Sequence, residues 1–206
     1  MMRMNYYSSE RAKAVFGSFS YAWEQRKLGD LCGHLEYGLN AAATIFDGKS
    51  KYIRITDIDD NTHQFKTDDL TSPDTVLGAA EKYVLCEGDI LFARTGASVG
   101  KTYIYRASDG LVYFAGFLIR ANIIPDYDAD FIFQNTLTSQ YKKFIRLTSQ
   151  RSGQPGVNAQ EYSGFEIMTP SLPEQLKVGA FFRQLDNLIT LHQRKPKYMK
   201  WRVGYA

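Results

Sequence analysis

Short apolar or alternating runs through the middle of the chain predict a β-rich core. The run at 89–94 follows the turn pair Glu87–Gly88 and carries three consecutive apolar residues, as a buried strand does. The passage around Gly33 and Gly38 has no such pattern and is predicted to be rich in turns. The predicted strands are 51–58, 89–94, 102–105, 111–124 and 165–168.

The periodicity becomes helical after the fourth predicted strand. Asp126 or Asp128 can accept hydrogen bonds from the first turn of a helix. Apolar residues then recur at helical spacing up to about residue 150, namely Phe133, Leu137, Tyr141 and Phe144. A polar, glycine-rich loop is predicted over 151–160, before the last strand.

The most regular pattern is a final helix over 171–195. Pro173 suits its first turn and Glu174 its positive end. An apolar stripe follows, flanked by Phe181 and Leu188, in which spacings of four and three alternate; it comprises Val178, Phe182, Leu185, Ile189 and His192. Such a stripe can pack on its own domain or form half of a coiled coil, and the sequence favours neither.

These elements predict an α+β protein: a β-rich domain with packed helices, followed by a helix of coiled-coil character. The length of 206 residues allows one sizeable core with an extension. We divide the chain into a leader at 1–21, a domain at 22–170, a helical arm at 171–195 and a tail at 196–206. Pro196 is expected to end the arm.

Composition indicates a folded protein and leaves nucleic-acid binding open. Apolar residues make up 44% and aromatic residues 14% of the chain, too much for a disordered segment. The formal charge of +3 is far below that of proteins that coat nucleic acid without sequence preference. The charges are unevenly distributed: aspartates crowd 57–69, whereas lysines and arginines crowd 142–151, so a basic face is expected.

Catalytic and metal-binding constellations are missing from the sequence. Cys32 and Cys86 lack zinc-like spacing, and the three histidines are scattered among unpaired carboxylates. The aspartates at 57, 59 and 60 are interpreted as a solvated strand end. We therefore expect no catalytic residues, metal or cofactor in this chain. With no apolar run of about eighteen residues, the protein is expected in the cytoplasm.

The segment GASVGK at 96–101 superficially resembles a nucleotide-binding loop. That motif needs four residues between its glycines and a helix after the lysine. Here three residues separate Gly96 from Gly100, and the residues after Lys101 resemble a strand. A tight turn between strands is favoured, one whose polar groups could bind DNA phosphates or bases. A nucleotide-using enzyme remains an alternative.

A second polar glycine loop, SGQPGVN, occupies 152–158. The amide side chains of Gln154 and Asn158 are of the type that recognises adenine in the major groove. An ordinary connection, in which these amides satisfy backbone groups, is the alternative interpretation.

Four segments in order resemble the specificity subunits of type I restriction-modification systems. The segments are WEQRKLGD at 23–30, GDILFARTGASVGK at 88–101, SGQPGVN at 152–158, and TPSLPEQLK at 169–177 running into FRQLDNLITLH at 182–192. The resemblance covers about residues 23–195. Its most specific part is the proline-Glu-Gln entry into an apolar helix.

The resemblance implies a sequence-specific DNA-binding subunit without catalytic residues. Family members hold two recognition domains separated by helices that form an antiparallel coiled coil, and each domain reads half of a bipartite site. Modification subunits, which bind S-adenosylmethionine and methylate adenine, assemble on the specificity subunit, and a motor and nuclease subunit completes the complex. This chain shows one recognition domain, so pairing with itself or another half-subunit is expected; self-pairing predicts a palindromic site.

We therefore predict two surfaces. The first is a DNA-binding surface on loops around 37–40, 94–101 and 151–158, comprising Tyr37, Asn40, Arg94, Thr95, Ser98, Lys101, Arg151, Ser152, Gln154 and Asn158. The second is a helix-pairing surface on the apolar stripe of the arm. A truncated module that binds modification subunits without recognising DNA is a further alternative.

Overall fold

The computed structural model describes residues 23–151 and 153–194, and side chains up to residue 192. The predicted leader, Ser152 and the tail with Pro196 lie outside these residues. The strands are β1 Glu24–Lys27, β2 Cys32–Tyr37, β3 Ala43–Ile45, β4 Lys51–Ile53, β5 Thr71–Pro73, β6 Ile90–Ala93, β7 Thr102–Ile104, β8 Val112–Phe114, β9 Leu118–Ile123 and β10 Glu166–Thr169. The α-helices are α1 Leu28–Leu31, α2 Ala129–Asn135, α3 Ser139–Thr148, α4 Ala159–Ser163 and α5 Leu172–Arg194. The α+β prediction is confirmed.

A four-stranded antiparallel sheet in the order β2-β9-β6-β7 forms the centre of the domain. In β6, Ile90 and Phe92 face the cluster that contains the helices, whereas Leu91 and Ala93 face a second apolar cluster. Since successive side chains of a strand point to opposite faces, both faces of β6 are covered. This explains why β6 is apolar throughout.

Three two-stranded sheets surround the central one. β3 pairs with β5 and β1 with β10, both antiparallel, whereas β4 and β8 are parallel. The pairing of β1 with β10 places the start of the described chain beside the strand that leads into α5. The first and last strands of the domain are therefore paired directly before the arm helix begins.

Two predicted strands are shorter than their patterns indicated. The run at 51–58 ends at Ile53, because the Asp57 carboxylate accepts hydrogen bonds from the backbone N–H (2.9 Å) and Nε (2.8 Å) of Arg54 and fixes a turn. The run at 111–124 is divided by a turn in which Leu118 N–H donates to the Ala115 carbonyl (2.8 Å). Local side-chain and turn bonds compete here with strand extension.

The predicted helix at 126–150 is two helices. Asp128 caps α2 as expected, with its Oδ1 accepting from Phe131 N–H (2.8 Å). Thr138 caps α3 by accepting from Tyr141 N–H (3.2 Å). A threonine in the N-cap position favours a new helix start over continuation of the old one.

The passage around Gly33 is not rich in turns, which corrects the prediction. It forms β2, which pairs with β9 and contains a bulge between Cys32 and Leu35. Gly38 ends this strand where a Cβ would lie 2.3 Å from the Ala115 carbonyl oxygen. That close approach requires glycine.

The arm helix α5 begins as predicted, with Pro173 in its first turn, and it packs on α2 from Gln175 to Asp186. Asp128 N–H donates to Gln175 Oε1 (3.1 Å), and Gln134 Nε2 donates to the Asp186 carboxylate (2.7 Å). A Cβ on Gly179 would lie 2.1 Å from Asp128 Oδ1, so this glycine lets the two helices touch.

Among the described helices, none is long and apolar enough to cross a membrane.

Candidate nucleic-acid interface

The two glycine loops singled out in the sequence pair with each other. Gly96 N–H donates to the Pro155 carbonyl (3.0 Å), and Val157 N–H donates to the Arg94 carbonyl (2.9 Å). Backbone hydrogen bonds of this kind hold the loops in one fixed relation. They therefore form a single unit on one side of the domain.

A groove of about 810 Å³ lies beside this unit. Its other walls come from the end of β2, the turn after β4 and the turn between β8 and β9. Six of the ten predicted DNA-contact residues line it, namely Tyr37, Asn40, Arg94, Thr95, Ser98 and Gln154. The fold thus brings together three loops that are distant in sequence.

The groove is positively charged. Arg54 and Arg94 line it, and none of the described lining residues is an aspartate or glutamate. Arg54 is paired with Asp57 at 2.8 Å, whereas Arg94 makes no ion pair within the described part of the chain. Arg94 is therefore the cation most available to an anionic or acceptor-rich ligand.

Arg94 is oriented by an aromatic ring. Its guanidinium lies over Tyr37, with 4.9 Å between the guanidinium carbon and the ring centroid. The Tyr37 hydroxyl accepts from Ala159 N–H (3.2 Å) at the start of α4. The Tyr37 ring is fixed by its backbone at the end of β2 and by this hydrogen bond at its hydroxyl. A planar guanidinium stacked on such a ring is pre-organised for bidentate hydrogen bonding.

Gln154 lies across the loop pair from Gly96. A Cβ on Gly96, whose φ is +73°, would come within 3.0 Å of Gln154 Nε2. Gly96 therefore supplies both the left-handed conformation and the space for the amide. The amide is presented at the same groove as Arg94.

Lys101 does not line the groove, unlike the six residues above. Its side chain is only 9% exposed, and Nζ forms an ion pair with Asp60 (2.6 Å) and donates to the Ile58 carbonyl (3.0 Å). The hydrogen bond and charge of Lys101 lower the pKa of Asp60. Lys101 thus anchors the loop at 58–60.

Arg151 and Asn158 serve the local fold instead of the groove. Asn158 Oδ1 accepts from Glu161 N–H (2.9 Å) while a Glu161 carboxylate oxygen accepts from Asn158 N–H (2.8 Å), a capping box at the start of α4. Arg151 pairs with the same Glu161. Neither residue lines the groove, and their contacts with DNA stay a prediction.

The sequence pattern concealed Phe117, which lines the groove. It lies in the turn between β8 and β9 and is 60% exposed. Its carbonyl accepts from Arg94 N–H (3.1 Å), which ties the turn to the glycine loops. The apolar run at 111–124 predicted one continuous strand, which would place Phe117 in its interior. The only turn signal beside it in the sequence is Gly116.

The glycine turn lacks the geometry of a nucleotide-binding loop. Residues Gly96–Ser98 form one 3-10 turn, and the strand Thr102–Ile104 follows. A phosphate cradle needs a helix N-terminus at this point. Across the described residues, no group of three or more potential metal ligands occurs.

The predicted helix-pairing surface is shifted around α5. Val178 is 6% exposed and Phe182 packs against the core cluster, so these two residues belong to the domain contact, which corrects their assignment. Ile189 and His192 are exposed and Leu185 is half-buried. The opposite side of the helix carries Phe181, Leu188 and Leu191, which are exposed large apolar residues.

In a comparison with models of known protein families, this chain matches one family. The model for the type I restriction modification DNA specificity domain matches residues 21–200. A search of curated proteins gave no match.

Solved structures of type I systems share the fold. The HsdS subunit of Thermoanaerobacter tengcongensis has a TM-score of 0.59 and 15% identity over 88% of this chain and 42% of its own. The S subunit of M. genitalium has a TM-score of 0.58 and 16% identity over 84% and 42%. A chain from a study of complex assembly and conformational transition of the type I R-M system has a TM-score of 0.59 and 15% identity over 89% and 44%. The chain thus spans less than half of each.

Proposed function

Because the chain belongs to the type I restriction-modification DNA specificity domain family, we propose that it binds a specific DNA sequence and directs partner subunits to it. The observation that carries this proposal is the pairing of two glycine loops beside one groove that holds two arginines and no described carboxylate. In this proposal the partner modification subunits bring S-adenosylmethionine and methylate adenine in the cytoplasm, and a restriction subunit cleaves. The chain itself catalyses nothing.

Base recognition is assigned to the groove. The Arg94 guanidinium, stacked on Tyr37, has the geometry to donate two hydrogen bonds to guanine O6 and N7. Asn40 and Gln154 line the same groove, and their amides match the donor and acceptor pattern of adenine. If a few side chains of a rigid groove recognise the bases, the protein can bind DNA sequence-specifically with a formal net charge of only +3.

Selection from a pool of random-sequence DNA duplexes tests this function. The purified chain is expected to enrich one sequence, or two half-sites at a fixed spacing if the chain pairs. Enrichment of no sequence above the starting pool would contradict the proposal. Retention of modification subunits in a pull-down, combined with failure to enrich DNA, would favour the alternative of an interaction module.

Replacement of Phe117 by alanine is expected to weaken binding to the enriched sequence without destabilising the fold. Substitution of such an exposed side chain changes unfolding free energy by about 0.5 kcal/mol or less. Loss of its apolar contact with DNA should lower affinity ~10-fold, equivalent to ~1.4 kcal/mol. Fluorescence anisotropy and thermal melting measure the two effects.

Met168→Ala is the matched control for Phe117, since Met168 is 41% exposed but lies on β10 and does not line the groove. It should leave affinity unchanged. Equal affinities of the wild type and the Phe117 variant would remove Phe117 from the interface.

The outer side of α5 is proposed as the pairing surface for a second helix. Phe181, Leu188 and Leu191 lie opposite the face that packs on α2, at spacings of seven and three residues, which suit helix pairing. Pairing of two copies through this surface would place two recognition domains on one bipartite site.

The double substitution Leu188→Lys and Leu191→Lys should abolish self-association. Both side chains are more than half exposed, so the substituted chain should stay folded while charge repulsion opposes pairing. Sedimentation over a concentration series should show a dimer for the wild type and a monomer for the variant. A wild type that stays monomeric at high concentration would contradict self-pairing; Leu147→Lys controls for added charge.

A further inference from the structure

A second depression lies on the other side of the Gly96–Ser98 turn from the groove. Its volume is about 380 Å³, and it is bounded by this turn, by α3 and by the loop that carries Asp60 and His63. Ala97 and Ser98 line both the groove and this depression. The turn is therefore a shared wall, and a ligand that crosses it would touch both.

The second depression is also positive. Lys101, Lys142 and Arg146 line it against one carboxylate, Asp60, which leaves a formal charge of +2. Two other depressions of the domain carry a negative formal charge. One has Glu24 and Asp126 against Arg26, and another has Asp109, Asp130 and Asp186 against Arg106 and Arg183. Among these four depressions, the two that adjoin each other carry the positive charge.

Two of the cations are uncompensated. Lys101 already pairs with Asp60, whereas Lys142 and Arg146 are exposed and make no ion pair with any described residue. They are four residues apart on α3, so both side chains extend from the same face. Like charges at this spacing oppose helix stability, a cost that a bound anion would remove.

His63 lies close enough to these cations for their charge to affect its pKa. Its Nδ1 lies 2.8 Å from the Thr102 carbonyl oxygen, and burial lowers its pKa, an effect to which the charges of Lys101 and Lys142 add. The lowered pKa favours the neutral form of the ring. The attraction for anions comes from the α3 cations.

We propose that this second depression binds the sugar-phosphate backbone of the same DNA whose bases enter the groove. Lys142 and Arg146 contact phosphates, and the strand crosses the Gly96–Ser98 turn. These contacts fix the register of the DNA on the groove and carry no sequence preference. This inference rests on the proposed function, because it needs DNA in the groove.

The salt dependence of DNA binding tests the phosphate site. Each phosphate contact contributes about 0.9 to the slope of log affinity against log salt. The double variant Lys142→Gln and Arg146→Gln of the full chain should therefore reduce the magnitude of that slope by about 1.8. The probe is a duplex that carries the sequence enriched by the wild type, and fluorescence anisotropy is measured from low to high salt.

The matched control is Lys49→Gln with Lys177→Gln, which removes the same charge from exposed lysines outside both depressions. The control should keep the wild-type slope, and the test pair should keep the wild-type sequence preference and melt no lower than the wild type, since it loses a like-charge pair. An unchanged slope in the test pair, with wild-type DNA binding intact, overturns the phosphate site alone. Absence of sequence-specific binding by the wild type overturns the proposed function and, with it, this inference.

Discussion

Replacement of Arg94 by alanine should lower affinity for the enriched DNA sequence by about 10- to 100-fold, because one bidentate base contact contributes about 1–3 kcal/mol of discrimination. The loop should keep its shape, since the backbone N–H and carbonyl of residue 94, not its side chain, bond to Phe117 and Val157. Affinity for unrelated DNA should fall much less. Anisotropy titrations on both duplexes measure the difference.

Arg26→Ala is the control for Arg94, because Arg26 is an exposed arginine on β1 outside the groove. Tyr37→Leu tests the ring that orients the guanidinium and should reproduce part of the loss, whereas Tyr37→Phe should keep the stacking. Identical affinities of the wild type and Arg94→Ala for the enriched sequence would show that Arg94 does not read it.

Gly179→Ala should destabilise the protein and loosen α5 from the domain. The new Cβ would lie 2.1 Å from Asp128 Oδ1 and 2.9 Å from the Phe131 backbone nitrogen. Overpacking of this kind costs about 1–3 kcal/mol, and displacement of Asp128 would cost about 1 kcal/mol more through the lost cap of α2. Urea unfolding followed by circular dichroism measures the change in unfolding free energy.

Gly78→Ala provides the comparison, since a Cβ at Gly78 meets no atom within 4 Å and stability should change little. Gly179→Ala with wild-type stability would mean that α5 does not pack on α2 as closely as described. DNA binding by the Gly179 variant at low temperature is expected to persist, because the groove lies on other elements.

The elements predicted from sequence are those whose signal is local. β6, β7, β10 and α5 each follow from a short apolar run or a helical period bounded by turn or proline signals. β2 was missed because its partner β9 lies about 85 residues away, as in the pair Leu35 and Ala121. The long-range contact overrides the turn propensity of Gly33.

In the candidate site, too, local features could be predicted from the sequence and long-range contacts could not. The glycine loops were recognisable as turns, but only the fold reveals that they pair and face one groove. The sequence did not show that Lys101 lies outside the groove, because its partner, Asp60, comes from a distant loop. The capping role of Asn158 could have been predicted, since Asn158 followed by Glu161 has the spacing of a capping box.

Co-expression with a modification subunit, followed by sequencing of methylated adenines, tests most directly whether the groove determines the DNA target. The wild type should give one defined methylated sequence. Arg94→Ala and Gln154→Ala should lose or alter that sequence, whereas Arg26→Ala should preserve it. Methylation of the same sequence at the same level in the groove variants would contradict the central claim that this groove reads DNA.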